Sequence, residues 1–172
     1  MWSLDIGHWS EATVIHGALT KPLKCLADER GFLMEILRSD EPAFERFGQV
    51  YLTCCQPGVA KAWHYHQRQT DHFVCVRGRC LVVLYDNREG SPTRGRVQEF
   101  CLAAPPGGGD EALLLKIPRL VIHGFAALDG REAHILNIPT EVYRYDDPDE
   151  LRLPWNSPEV PYAWPPDVRA GG

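Results

Sequence analysis

Proline and glycine punctuate this chain from end to end, and that limits what it can fold into. Among 172 residues there are 14 Pro and 15 Gly. They separate short apolar runs, as turns separate strands, and leave little room for long helices. Candidate strands are 31–37, 48–55, 72–76, 80–85, 96–102, 112–117, 123–127 and 133–138. Several are β-branched or aromatic with partial alternation, as in GRCLVVLYD at 78–86. Their spacing predicts an all-β sandwich or barrel. Short peripheral helices are expected over 40–47, with Ser39 as N-cap, and over 147–151. Residues 104–110 read as a flexible loop. The length fits one domain, 1–172, with residues 1–20 as an N-terminal arm and 152–172 as an extended, frayed tail.

The charge balance is acidic, with a formal net charge of -5. That argues against nucleic acid and against an anionic membrane surface as partners. No apolar run approaches the roughly 20 residues that span a bilayer. The first residues lack the basic-then-apolar pattern of a secretory signal. Six cysteines occur without a CxxC pair, several inside strand-like runs. They read as buried thiols of a reducing compartment, which points to the cytoplasm.

Chemistry concentrates in residues 58–78. His64 and His66 are two apart, so on a strand both imidazoles project to one face and Trp63 and Tyr65 to the other. Asp71 and Gly78 follow, and His72 would face away from Asp71. A second stretch, KIPRLVIHGF, places Pro118 five residues before His123. Three imidazoles and a carboxylate form a mixed N/O donor set suited to a divalent first-row metal. Without a metal, the same groups line a polar pocket.

These two stretches resemble the paired motifs of the cupin superfamily. Gly58, His64, His66, Asp71 and Gly78 meet the spacing of the first motif, with Asp in place of the usual Glu. Pro118 and His123 meet the second, with Leu120 in place of its glycine. The resemblance implies a double-stranded β-helix, the jelly-roll cupin barrel. It also implies His64, His66, Asp71 and His123 as ligands wherever a metal is bound.

Other segments narrow the likeness. DERGFLME at 28–35, Gln49-Val50, the segment 58–64, DNREGSPTRG at 86–95, IPRLVIHGF at 117–125 and WNSP…WP at 155–165 resemble the dTDP-4-dehydrorhamnose 3,5-epimerases. The likeness spans residues 22–166. It implies a dTDP-linked 4-keto-6-deoxy sugar, proton abstraction beside its ketone, no required cofactor, and a homodimer. Carried over by position, His64 is the base. His66, Asp86 and His123 are further catalytic-pocket candidates. Arg30, Glu35, Gln49, Lys61 and Arg88 are substrate-binding candidates. Tyr145 is a candidate acid or a stacking partner for the thymine, although Arg88 beside Asp86 also reads as a structural ion pair.

The chain departs from this pattern at several working positions. The family's pocket lysine is Asp71, and the arginine before the base is Lys61. The asparagine after Gln-Val is Tyr51. The general-acid tyrosine falls near Leu136, and the closing segment with the base-orienting aspartate has no counterpart up to Gly172. His66 is an addition shared with related 3,4-ketoisomerases. The leading expectation is a keto-sugar epimerase or isomerase. The alternatives are a metal-binding cupin acting on another small molecule, and a sugar-binding module without catalysis.

Overall fold

The computed structural model describes residues 9–10 and 14–172, so most of the expected arm lies outside the described residues. The described strands are β1 (Leu19–Pro22), β2 (Cys25–Asp28), β3 (Gly31–Met34), β4 (Tyr51–Cys55), β5 (Val59–Tyr65) and β6 (Asp71–Arg77). They continue with β7 (Arg79–Tyr85), β8 (Val97–Ala103), β9 (Leu113–Ile117) and β10 (Ile122–Ala127). The last are β11 (Ala133–Asn137), β12 (Leu151–Arg152) and β13 (Ala170–Gly171). The fold is all-β, as the punctuation predicts.

The expected peripheral helices do not form. Among the described residues the one helical element is a 3₁₀ turn, Gly109–Glu111. In the 40–47 segment, Glu41 is drawn into a buried ion pair with Lys21 at 2.6 Å and accepts from Trp9 Nε1. In the 147–151 segment, the Asp149 carboxylate accepts the backbone N–H groups of Gln67, Arg68 and Gln69. Tertiary contacts thus engage polar side chains inside both segments and hold them in non-helical conformations. Among the described residues, no helix is long and apolar enough to cross a membrane.

Two sheets face each other. One has the order β1-β9-β6-β11-β4, the other β12-β5-β10-β7-β8 with β13 also on β5. Their inner faces meet in a core that joins Phe73, Cys75, Leu115 and Ile135 of the first to Val82, Leu84, Leu102 and Phe125 of the second. This is the jelly-roll arrangement. Both sheets are also covered on the outside. Trp9, Leu23, Met34 and Leu37 pack against Val74 and Leu114 of the first sheet. Val160, Tyr162, Trp164 and Val168 pack against Ala60, Trp63, Leu81 and Val83 of the second. Covering both faces explains why β7 and β10 are buried almost throughout instead of alternating.

The tail corrects its expectation. It is extended but not frayed: β12 and β13 both pair with β5, and Trp164 stacks on Trp63 at 4.8 Å between centroids. The six thiols are free, but only Cys55, Cys75 and Cys80 are fully buried.

Candidate active site

At one end, the two sheets enclose a cavity of about 960 Å³. Its inner wall is set by pairing of β10 with β5, where His123 lies opposite His64. A regular strand would then send Lys61 to the other face from His64. Instead the register slips between His123 and Phe125, so that three residues of β5 span two of β10. This bulge re-aims the chain, and both Lys61 and His64 line the cavity. Gly124 makes it possible: a Cβ there would stand 2.3 Å from Ala62 Cβ and 3.0 Å from the Lys61 carbonyl. The opposing wall comes from β4, whose alternate residues Tyr51 and Thr53 line the cavity. Lys61 Nζ donates to Thr53 Oγ1 at 2.8 Å, joining the two walls.

Three imidazoles converge as the spacing predicts. The rings of His64 and His123 are 4.1 Å apart, and those of His64 and His66 are 5.8 Å apart. Asp71, fully buried on β6, faces them from the other sheet. Its Oδ2 is 3.2 Å from His66 Nε2 and 3.3 Å from His123 Nε2. Its Oδ1 accepts from Gln69 Nε2 at 2.8 Å and Asn137 Nδ2 at 2.7 Å. His123 Nδ1 is 2.9 Å from the Val121 carbonyl, and His66 Nδ1 meets the Asp149 carbonyl. Each carbonyl accepts, which fixes the proton on Nδ1 and aims Nε2 inward.

The surroundings divide the charge. Burial and the neighbouring His123 and His66 hold the His64 pKa well below its ordinary value, so His64 is neutral and able to accept a proton. Burial also works against a charged His66. There the Asp71 carboxylate and the Asp149 carbonyl prevail and raise its pKa. Burial would raise Asp71, but contacts with His123 and His66 outweigh it and keep the group an anion. The site therefore places an imidazole whose proton is disfavoured beside one whose proton a carboxylate favours.

The donor set also fits a metal. Ligand atoms of His64, His66 and His123 all lie within 4.8 Å of one another, and Asp71 adds an oxygen next to two of them. His123 Nε2 is buried and faces Asp71 Oδ2 at 3.3 Å without the geometry of a hydrogen bond. His72 is excluded from the set: it is on the other face of β6, with Nδ1 2.9 Å from the Ile138 carbonyl and its ring edge-on to Trp9.

The other sequence candidates divide into two groups. Gln49, Lys61 and Tyr145 line the cavity, Tyr145 at the mouth and 93% exposed. Gln49 Oε1 accepts from the Tyr143 backbone at 3.3 Å. Asp86, Arg88, Arg30 and Glu35 do not line it. Asp86 is buried at the end of β7, where its carboxylate accepts from Arg88, Ser91 and Thr93. Arg88 also donates to the His16 carbonyl at 2.6 Å. These two residues form the ion pair that ties down the 86–95 turn. Arg30 pairs with Asp28 in the β2–β3 turn, and Glu35 with Arg38.

Two functional positions escape a sequence reading. Asn137 sits directly across from Tyr51 in the β11–β4 register, one residue beyond Leu136. Leu136 itself packs outward against Val74 and Leu114. Asp149 falls in an acidic run that reads as a solvated turn, yet it holds the 67–69 loop and His66. No local pattern marks either role, since both depend on segments more than 60 residues away.

Comparison with known proteins agrees with this geometry. The sequence model of the family described as dTDP-4-dehydrorhamnose 3,5-epimerase matches residues 12–170. The Haloferax volcanii protein named "Probable low-salt glycan biosynthesis epimerase Agl13" is 38% identical over 156 residues, covering 90% of this chain and 97% of its own. The spore coat polysaccharide biosynthesis protein SpsL of Bacillus subtilis is also 38% identical, covering 91% and 100%. A solved structure, the dTDP sugar isomerase of Desulfovibrio desulfuricans G20, superposes with a TM-score of 0.82 at 34% identity, covering 90% and 95%.

Proposed function

The chain belongs to the dTDP-4-dehydrorhamnose 3,5-epimerase family, and on that premise we propose that it epimerises or isomerises a dTDP-linked 4-keto-6-deoxy sugar. One observation carries the reading: His64, half-buried and with its ring 4.1 Å from that of His123, opens onto a cavity of about 960 Å³, room enough for a sugar. The 4-keto group acidifies the protons on its neighbouring carbons. His64 removes one as general base, and the electron pair moves onto the ketone oxygen. Lys61 and the His66 imidazolium supply positive charge beside that oxyanion, in place of the lysine whose position Asp71 occupies. Asp71 orients His66 and His123. Arg68, Arg144 and Arg152 at the mouth offer charge to the diphosphate. The reaction needs no cofactor, because the ketone itself stabilises the carbanion. The relatives' names fit a role in polysaccharide biosynthesis.

The assembly belongs to the same proposal. Exposed Phe32, Leu33, Val50 and Leu52 form apolar surface for a second copy, consistent with a homodimer of single cupin domains. Arg30 and Glu35, away from their own chain's cavity, would act at that interface. The free thiols fit a cytoplasmic setting.

The His64–His66–His123 cluster supports a second reading, a metal-binding cupin. In it these residues and Asp71 hold a divalent first-row metal. Such an ion, when bound, polarises a substrate oxygen as a Lewis acid.

One experiment separates the two readings. The protein is incubated in D2O with dTDP-4-keto-6-deoxyglucose, before and after EDTA treatment, with metal content measured. Deuterium entering at C3, or at C3 and C5, unaffected by EDTA, is the expected result. Exchange that vanishes with EDTA, from protein holding stoichiometric metal, favours the second reading. No exchange and no binding contradict the sugar-nucleotide assignment.

A further inference from the structure

Inversion at a carbon needs two groups, one to remove the proton and one to deliver a proton to the other face. His64 supplies the first from β5. Its counterpart must reach the cavity from the facing sheet, carry a proton, and keep that proton free.

Tyr51 meets these conditions. It is the first residue of β4, on the sheet opposite β5, and it lines the same cavity. Its hydroxyl oxygen accepts from Asn137 Nδ2 at 2.9 Å. The other Nδ2 proton goes to Asp71 Oδ1, and Asn137 Oδ1 accepts the His72 backbone N–H at 3.1 Å. That second bond fixes the amide orientation, because a backbone N–H cannot pair with an NH2 group. Asn137 can therefore only donate to Tyr51, and the phenolic proton is left to point into the cavity. Desolvation of the hydroxyl and the Asp71 charge push the Tyr51 pKa up to about 12, while part of the ring remains exposed, so the hydroxyl stays protonated over the working range. Tyr143 and Tyr145 lack such an anchor. They lie on the mouth loop with their rings edge-on to one another at 5.1 Å, and Tyr145 is almost fully exposed.

We propose that Tyr51 is the proton donor to the face of the substrate carbon opposite His64. The inference rests on the epimerase reading and adds the residue that completes it. In the step, His64 takes the proton beside the ketone and the C–H pair forms the enolate. The enolate carbon then takes the Tyr51 proton on its other face as the carbonyl re-forms. The phenolate regains a proton from water, and the His64 imidazolium loses one to water. The position differs from the family pattern, where this role falls near Leu136. Here the hydroxyl comes from the adjacent strand, and Asn137 stands across from it.

The test is Tyr51→Phe, read by two rates on dTDP-4-keto-6-deoxyglucose in D2O: deuterium entering with retained configuration, and inverted product. The expected variant binds dTDP normally, keeps exchange within about threefold, and loses at least about 100-fold in inversion. Undiminished inversion overturns the proposal, as does inversion lost only in Tyr145→Phe. Equal loss of both rates with dTDP binding intact also overturns it, because Tyr51 would then serve the His64 step. If Tyr51→Phe does not fold, fluorotyrosine at position 51 decides. Inversion that changes with the phenol pKa while exchange does not supports the role, and indifference contradicts it. A wild-type protein that shows no exchange removes the epimerase reading itself, a result distinct from all of these.

Discussion

His64 and His66 differ in chemistry although they are two residues apart on one face. His66 Nε2 lies 3.2 Å from the Asp71 carboxylate, and its Nδ1 meets a carbonyl, so both nitrogens favour a proton. His64 has no carboxylate against it and two imidazoles beside it, so it stays neutral. Its pKa is depressed, so protonation disables it only well below pH 6.5. The acid limb of kcat/KM is accordingly expected below pH 6.5, in a pH–rate profile with a non-titrating substrate. A limb at or above 6.5 would show His64 to be an ordinary exposed imidazole. The HxH spacing made the pair legible in the sequence, because period two alone puts both rings on one face. Their division of labour was not legible, because it depends on Asp71 from another strand and Asp149 from a distant loop.

Elements convert that pairing into a site. The β5 bulge turns Lys61 into the cavity, and Gly124 gives the bulge room. The strands were readable from turn residues and β-branched runs, but the bulge was not, since no residue type announces it before its partner strand is known. The same limit applies to Asp86, which does not line the cavity. Its segment marks a family resemblance, yet the structure uses it as a buried anchor: Arg88, Ser91 and Thr93 all donate to it. Asp86→Ala is expected to lower stability by about 3 kcal/mol, because it leaves the Arg88 charge without its carboxylate and Ser91 and Thr93 without their acceptor. Urea unfolding measures this, and the folded variant should retain its C3/C5 exchange. A catalytic Asp86 would show the reverse, near-normal stability with lost exchange.

Across the whole molecule, the jelly roll holds base and acid candidates on opposite walls, and outer layers hold the walls. The proline-rich tail reads as loose from composition alone, since nothing local reveals that Trp164 will stack on Trp63. That stack stands next to His64 in the chain and covers the outer face of its strand. Trp164→Ala is expected to cost about 2–3 kcal/mol, less than a fully buried aromatic because Trp164 is half-buried. Thermal unfolding checks it, and an unchanged Tm would mean the tail is not part of the cooperative fold. The central claim is that neutral His64 removes the proton beside a sugar ketone. It is tested most directly by His64→Asn in D2O with dTDP-4-keto-6-deoxyglucose, following deuterium at C3 and C5. The expected result is exchange reduced at least about 100-fold with dTDP binding retained. Exchange at the wild-type rate in that variant would contradict the claim.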